Sequence, residues 1–331
     1  MVTALLSPQP GAATLAARLQ SENEYEDLLS LWSDLEAGLG IILASPASAR
    51  EFTPRIRQYN RWIQGLLAQE ADIGLYLLFQ LSSNSSVGYS ASHALICTAL
   101  CHLIATELDL AASERDSLTC AALTMNIGMT AMQDQLALQT DRLTPEQQEI
   151  IKAHSQKGRA MLDALGVADQ LWKDVVSTHH EDNPQPLALM EQPPAQRLVR
   201  ILQVVDRYAA MISPRKSREG RSATDSVRGV MSGSSSYDDE VGRALVRAVG
   251  LCPPGTYVRL DDGSMAVVMR RSSQPNQPDV AVVTQPDGDM LPRPRLHRTV
   301  EHRPGIQSAL ATSVVRLRLN HHRLLKLTAE P

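Results

Sequence analysis

Apolar residues recur at three- and four-residue spacing over most of the chain, and that spacing predicts α-helix wherever it persists. It runs through EYEDLLSLWSDLEAGLGIIL and again through FTPRIRQYNRWIQGLLAQ, which predicts two N-terminal helices after a loose Pro-, Gly- and Ala-rich lead. From Tyr89 to about Gly250 the pattern stays helical. Start signals stand at Ser113, in SERD, and at Thr144, where Pro145 takes the first helical position and Gln147 completes a capping box. Stops fall at Gly166 and at Pro184 and Pro186, and the Ser-rich SGSSSY at 232–237 reads as a loop.

After Cys252-Pro253-Pro254-Gly255 the texture changes to short β-branched runs, TYVRL, MAVVMR and DVAVVT. Asp262-Gly263 and Asp287-Gly288 between apolar runs are hairpin signals. These residues predict a small β unit over 253 to about 300. The expected fold is mainly α, a helical bundle with a small C-terminal β appendage. Its parts are an N-terminal helical region over 1–70, a helical domain over 71–250, and the β appendage with a basic tail over 251–331.

Composition agrees with a helical core. Of 331 residues, 43% are hydrophobic but only 4% aromatic, so Ala, Leu, Val and Met must fill the interior, and those residues suit helix interfaces. A net charge of -4 gives no general attraction to nucleic acid or anionic lipid, so no nucleic-acid partner is expected. Arg293, Arg295, Arg298, Arg303, Arg316, Arg318, Arg323 and Lys326 nevertheless crowd the C-terminal end, which predicts a solvated basic tail. Four cysteines in so long a chain do not suggest a disulfide scaffold, and Cys97 and Cys101 are spaced as buried neighbours on one helix face. The N-terminal residues lack the pattern of a secretory signal, and the longest apolar run, Ile73 to Phe79, is too short to span a bilayer. No membrane insertion is expected, and a cytoplasmic location is.

Candidate chemistry lies in the histidines. If two helices fold back about Gly166, His154 lies twelve residues before the pivot and His179 and His180 lie thirteen and fourteen after it, which puts them at one level. A turn near Leu110 similarly places His93 seventeen residues before and Asn126 sixteen after. Both levels can face one pocket inside a bundle, where helical proteins build metal sites. Imidazoles and a carboxylate such as Asp206 suit Zn, Fe or Mn. His102, on another face of its helix than His93, is read as a core residue.

The order of His93, AALTMNIGM at 121–129, LTPEQQEIIKAHSQKG at 143–158, VVSTHHED at 175–182 and RILQVVDRYAAMISPRKSR at 200–218 resembles the HD-GYP domain. That family is a branch of the HD phosphohydrolases that opens cyclic di-GMP. PPGTYVRLDDGSMAVVM is similar to the segment that commonly follows the family's helical core, so the resemblance covers roughly residues 70 to 300. It implies an HD-type bundle, His93, His154, His179, His180 and Asp206 as metal ligands, and Arg215 and Arg218 beside the dinucleotide phosphates.

The departures are specific. Where the family has His-Asp-Ile-Gly-Lys, this chain has Met125-Asn126-Ile127-Gly128-Met129, which replaces a ligand, a metal-bridging carboxylate and a cationic substrate contact. The segment after Glu181 lacks the Gly-Tyr-Pro signature and is shortened to Asp182-Asn183-Pro184-Gln185-Pro186. A neutral Asn cannot offset two cations as a bridging Asp does, so a dinuclear centre is not expected. His154, His179 and His180 remain as a cluster for one divalent transition metal, Fe, Mn or Zn, or for none.

The resemblance and its departures together imply a degenerate HD-GYP signalling protein. It would act by binding a protein partner, cyclic di-GMP or a linear guanine dinucleotide, with little or no hydrolysis. The alternatives are a weak metal-dependent cyclic di-GMP phosphodiesterase using the residual His site, and a structural helical module without a ligand.

Overall fold

The computed structural model describes residues 22–84, 87–181, 187–216, 220–231 and 236–328. The N-terminal lead, the stops at Pro184 and Pro186, the first residues of SGSSSY and Arg218 lie outside the described residues.

Helix α1 spans Glu22–Ala44 and buries Leu28, Trp32, Leu35, Leu39 and Ile42, one stripe at alternating four- and three-residue steps. Helix α2, Phe52–Asn84, is longer than its sequence pattern predicts and is broken at Glu70, whose φ and ψ of -155° and 88° are not helical. Both pack on α3, Tyr89–Glu107, which runs through the middle of the body. Helix α3 is long and apolar enough by length and composition to cross a membrane, which the scattered Ser, Thr and His residues conceal from a search for unbroken apolar runs. Here 78% of its most apolar stretch is buried by neighbouring helices.

The start of α3 is held from outside. Gly88 has φ of 147°, and a Cβ there would lie 3.1 Å from the Asp134 carboxylate. That carboxylate caps the helix from a distance, accepting from the Ser90 N–H at 2.7 Å and the Ser90 hydroxyl at 3.0 Å. The position of α3 is thereby set against the helix Thr130–Leu138, on which Asp134 sits.

Helix α4 spans Ala112–Thr124 and α5 Thr130–Leu138, joined through a short 3-10 turn at Ile127–Met129. Ser113 is not a cap: α4 starts at Ala112, after Ala111, with no side-chain capping bond. Helix α6, Pro145–Ala164, has the full capping box between Thr144 and Gln147. After Gly166 the chain enters α7, Gln170–Thr178, capped by Asp169, which accepts from the Trp172 N–H at 3.0 Å. Helix α7 is shorter than the spacing predicts, so His179 and His180 stand at its C-terminal end. Trp172 is fully buried and its indole N–H donates to the Thr124 hydroxyl at 2.7 Å, which fastens the α6–α7 hairpin to α4. Helix α8, Pro194–Ile212, is tied to α4 by the ion pair of Arg197 with Glu114 at 2.6 Å. Helices α9, Ala223–Met231, and α10, Ser236–Val249, complete the body, so Ser236 and Tyr237 are helical rather than part of the expected loop.

The β unit is a five-stranded antiparallel sheet of β1 Tyr257–Leu260, β2 Met265–Arg270, β3 Asp279–Thr284, β4 Met290–Arg298 and β5 Ile306–Leu310, in the order β4-β3-β2-β1-β5. Asp262-Gly263 and Asp287-Gly288 join β1 to β2 and β3 to β4, at the two expected hairpins. The period-two alternation serves two cores. Tyr257, Val267, Met269, Ala281 and Val283 face the helical body, whereas Val258, Leu260, Ala266, Val268, Val280 and Val282 form a second cluster with Cys252.

The C-terminal basic residues do not form the solvated tail expected of them. Arg293, Arg295 and Arg298 are exposed on the edge strand β4, where charge discourages further strand pairing. Arg316 and Arg318 alternate with Val315, Leu317 and Leu319, which pack on the core. Arg323 and Lys326 belong to helix α11, His321–Leu327, whose Leu324 and Leu325 are fully buried in the helical body.

Candidate metal centre

The α6–α7 hairpin brings three imidazoles together. His154, in the middle of α6, and His179, just past α7, are almost fully buried, and His180 beside them is exposed. Ring centroids are 5.2 Å apart for His154 and His179, 4.9 Å for His154 and His180, and 4.1 Å for His179 and His180. The Nδ1 of His179 bonds the Val176 carbonyl at 2.7 Å, and the Nδ1 of His154 bonds the Ile151 carbonyl. A carbonyl only accepts, so each Nδ1 carries the proton and each Nε2 presents a lone pair. Those two Nε2 atoms face each other at 3.3 Å. Two lone pairs so placed repel unless a proton or cation lies between them. Nitrogens about 2.0–2.1 Å from a tetrahedral metal are themselves separated by about 3.3 Å. Carbonyl acceptors on the far nitrogens are the usual support for such ligands.

Burial, reinforced by the neighbouring His180, depresses the pKa of His179 to about 3, and burial lowers that of His154. Both rings are therefore neutral near pH 7, the form that ligates.

A second group lies on α3 and α8. The Nε2 of His93 is 2.8 Å from Asp206 Oδ1 and 3.6 Å from the Cys97 sulfur, one helical turn further along α3. Burial works to raise the pKa of Asp206. The hydrogen bond and charge of His93, with the charges of His179 and His180, prevail and hold it at about 2. Asp206 is thus electrostatically coupled to both groups. Burial and the Asp206 carboxylate push the Cys97 thiol well above its ordinary range. Tyr89 stacks on His93 with centroids 5.3 Å apart, and Arg215 donates to the Tyr89 hydroxyl at 2.8 Å while its guanidinium lies 4.4 Å over the ring.

The segment at 125–129 is packed but offers no charged donor. Met125 is 1% exposed and belongs to the main core, and with Asn126 it lines a small cavity beside Ser90 and Ala94. Met129 is half-buried. Gly128 meets α6 closely enough that a Cβ there would sit 2.2 Å from the His154 carbonyl oxygen. His102 stays apart from both groups, with its Nδ1 buried and without a hydrogen-bond partner. Sequence reasoning missed Tyr89 and Cys97. The available signal was their spacing, four residues before and four after His93 on one helix face.

The model of the HD domain matches residues 75–241, half of the chain. The chain belongs to the HD domain family. The chain is also similar to a cyclic di-GMP phosphodiesterase of Pseudomonas aeruginosa, 29% identical over 198 residues, which are 59% of this chain and 48% of that enzyme. The chain thus spans about half the length of this relative. HD domains are typically metal-dependent, and the donor groups found here are of the kinds that bind metal.

Proposed function

We propose that this HD-domain chain is a cyclic di-GMP signalling protein that acts by binding the dinucleotide or a protein partner, with little or no hydrolysis. The observation that carries the reading is the contrast at 125–129: Gly128 packs on the His154 carbonyl, while Met125 is buried in the core and Asn126 and Met129 supply no negative or positive charge. In this reading His154, His179 and His180 hold one divalent transition metal, and His93 and Asp206 line the same pocket. A bound cation would polarise a phosphoryl oxygen and acidify water. Arg215 supports dinucleotide binding, since its Nε is buried without a hydrogen-bond partner and a phosphoryl oxygen is a suitable acceptor. Arg218 is assigned the same role from the resemblance. The protein works in the cytoplasm in this reading, outside any membrane.

The test compares hydrolysis of cyclic di-GMP by the wild type and by a Met125→His, Asn126→Asp, Met129→Lys variant, each supplied with Mn, Fe or Zn. Loss of one well-placed electrostatic contact commonly costs on the order of a hundredfold in rate, so the wild type should be slower than the variant by at least about that factor. Binding of cyclic di-GMP by the wild type in calorimetry is expected alongside slow turnover. Rapid wild-type hydrolysis would overturn the reading in favour of a metal-dependent phosphodiesterase, an alternative that the facing Nε2 atoms of His154 and His179 favour. A His179→Ala variant would then abolish it.

A further inference from the structure

We propose that Cys97 is a metal ligand, and that with His93 and Asp206 it makes a mixed sulfur, nitrogen and oxygen site selective for zinc or ferrous iron over manganese and magnesium. The inference rests on the metal-binding reading above and adds to it a second site, distinct from the three-histidine cluster, in which His93 and Asp206 act as ligands instead of only lining the pocket.

Cys97 lies one helical turn after His93 on α3, so both side chains project from the same face toward α8 and Asp206. One donor atom from each of the three residues lies within 4.8 Å of the others. The separation of the Cys97 sulfur from His93 Nε2 is 3.6 Å. A tetrahedral zinc with bonds of about 2.3 Å to sulfur and about 2.0–2.1 Å to nitrogen separates those ligands by about 3.5–3.6 Å. Both Cys97 and His93 are almost fully buried, whereas the Asp206 side chain is 20% exposed, so solvent or a ligand reaches the group from the Asp206 side.

Charge gives the site its selectivity and its limit. A Cys97 thiolate and the Asp206 carboxylate together supply two negative charges, enough to neutralise a dication in low-dielectric surroundings. Binding there replaces the hydrogen bond of His93 Nε2 to Asp206, shifts the ring proton to Nδ1 beside the Tyr89 hydroxyl, and releases the Cys97 proton to solvent as the metal–sulfur bond forms. A thiolate favours borderline and soft cations and disfavours magnesium and manganese, which prefer oxygen donors. A cation whose charge is already offset polarises a phosphoryl oxygen weakly, in keeping with binding that outlasts turnover.

The experiment uses the full chain, stripped of metal and reloaded with zinc or cobalt. X-ray absorption at the zinc edge is expected to show a sulfur scatterer at about 2.3 Å. The cobalt form is expected to show a thiolate-to-metal charge-transfer band, which persists in Cys101→Ser and Cys120→Ser and disappears in Cys97→Ser. Zinc affinity should fall by on the order of tenfold or more in Cys97→Ser, since even losing a supporting partner of a ligand costs that much. Manganese affinity should change far less. The absorption measurement on the wild type decides the matter even if Cys97→Ser does not fold. Bound zinc surrounded only by nitrogen and oxygen would overturn the Cys97 proposal and leave the metal-binding reading standing. Failure to bind any of these metals would overturn both, and dinucleotide binding is read separately by calorimetry.

Discussion

Two segments that touch each other have kept different things. The α6–α7 hairpin carries three imidazoles with two lone pairs aimed at one point, whereas residues 125–129, pressed against it, carry a buried thioether, an amide and a second thioether. Their packing is nevertheless continuous, since Gly128 lies against the His154 carbonyl and Gly158 meets Val176 and Ile127. The difference teaches that backbone complementarity and donor chemistry are separable in this pocket. Glycines hold the helices at the required distance whatever neighbouring positions 125, 126 and 129 contribute.

The comparison can be broken most severely at the hairpin itself. Trp172→Ala removes a fully buried indole and its bond to Thr124, and should cost about 3–5 kcal/mol in denaturant unfolding. A loss below about 1 kcal/mol would mean that the hairpin is not fastened as described. Next in size is metal loading: zinc at a hundredfold excess over its dissociation constant should stabilise the protein by about 2.7 kcal/mol. That gain should shrink in His179→Ala. On the other side of the contact, Gly128→Ala forces a Cβ against backbone and should cost about 1–3 kcal/mol while also weakening metal binding through His154.

Per pH unit, a smaller effect should appear in the pH dependence of the metal-free protein. The pKa of His179 falls from 6.5 to about 3 on folding, so the unfolded chain takes up its proton first on acidification. The stability associated with the neutral ring is complete above about pH 6.5 and is lost as pH falls toward 3, with a slope of at most about 1.4 kcal/mol per pH unit. His179→Gln should flatten that slope in melts recorded across the window. Smallest is Asn126→Asp, at a partly exposed position, which should change stability by no more than about 0.5 kcal/mol. If it raises the number of metals bound per chain, the chemistry of 125–129 will have been altered without touching its packing.

The residues explain how far the sequence could be read. Local rules were legible: the Thr144–Gln147 capping box, the two Asp-Gly hairpins and the apolar stripe of α1 all depend on near neighbours. The level of His154 and His179 was legible too, because a single pivot at Gly166 relates them. Cys97 was harder, since a cysteine at helical spacing from another cysteine looks like core, and the charge that joins it and His93 comes from Asp206 on the distant α8. Ser113 misled because α4 starts a residue earlier, and the Arg115 N–H that its hydroxyl could cap donates to the Ala111 carbonyl instead. Helix α11 was hidden by its own basic residues. Leu324 and Leu325 are its only fully buried positions, too few for a period to emerge.

That last helix alters how the β unit is attached. The chain leaves the helical body at Val249, builds the sheet, and returns so that Leu324 and Leu325 enter the main core and His321 Nδ1 meets the Tyr76 hydroxyl at 2.6 Å. The sheet is therefore buckled to the body at both ends, like a panel fixed by two hinges rather than a flag on one pole. A proteolytic nick in the turn between β4 and β5 would leave each fragment anchored, and the two halves should stay together until the body itself melts.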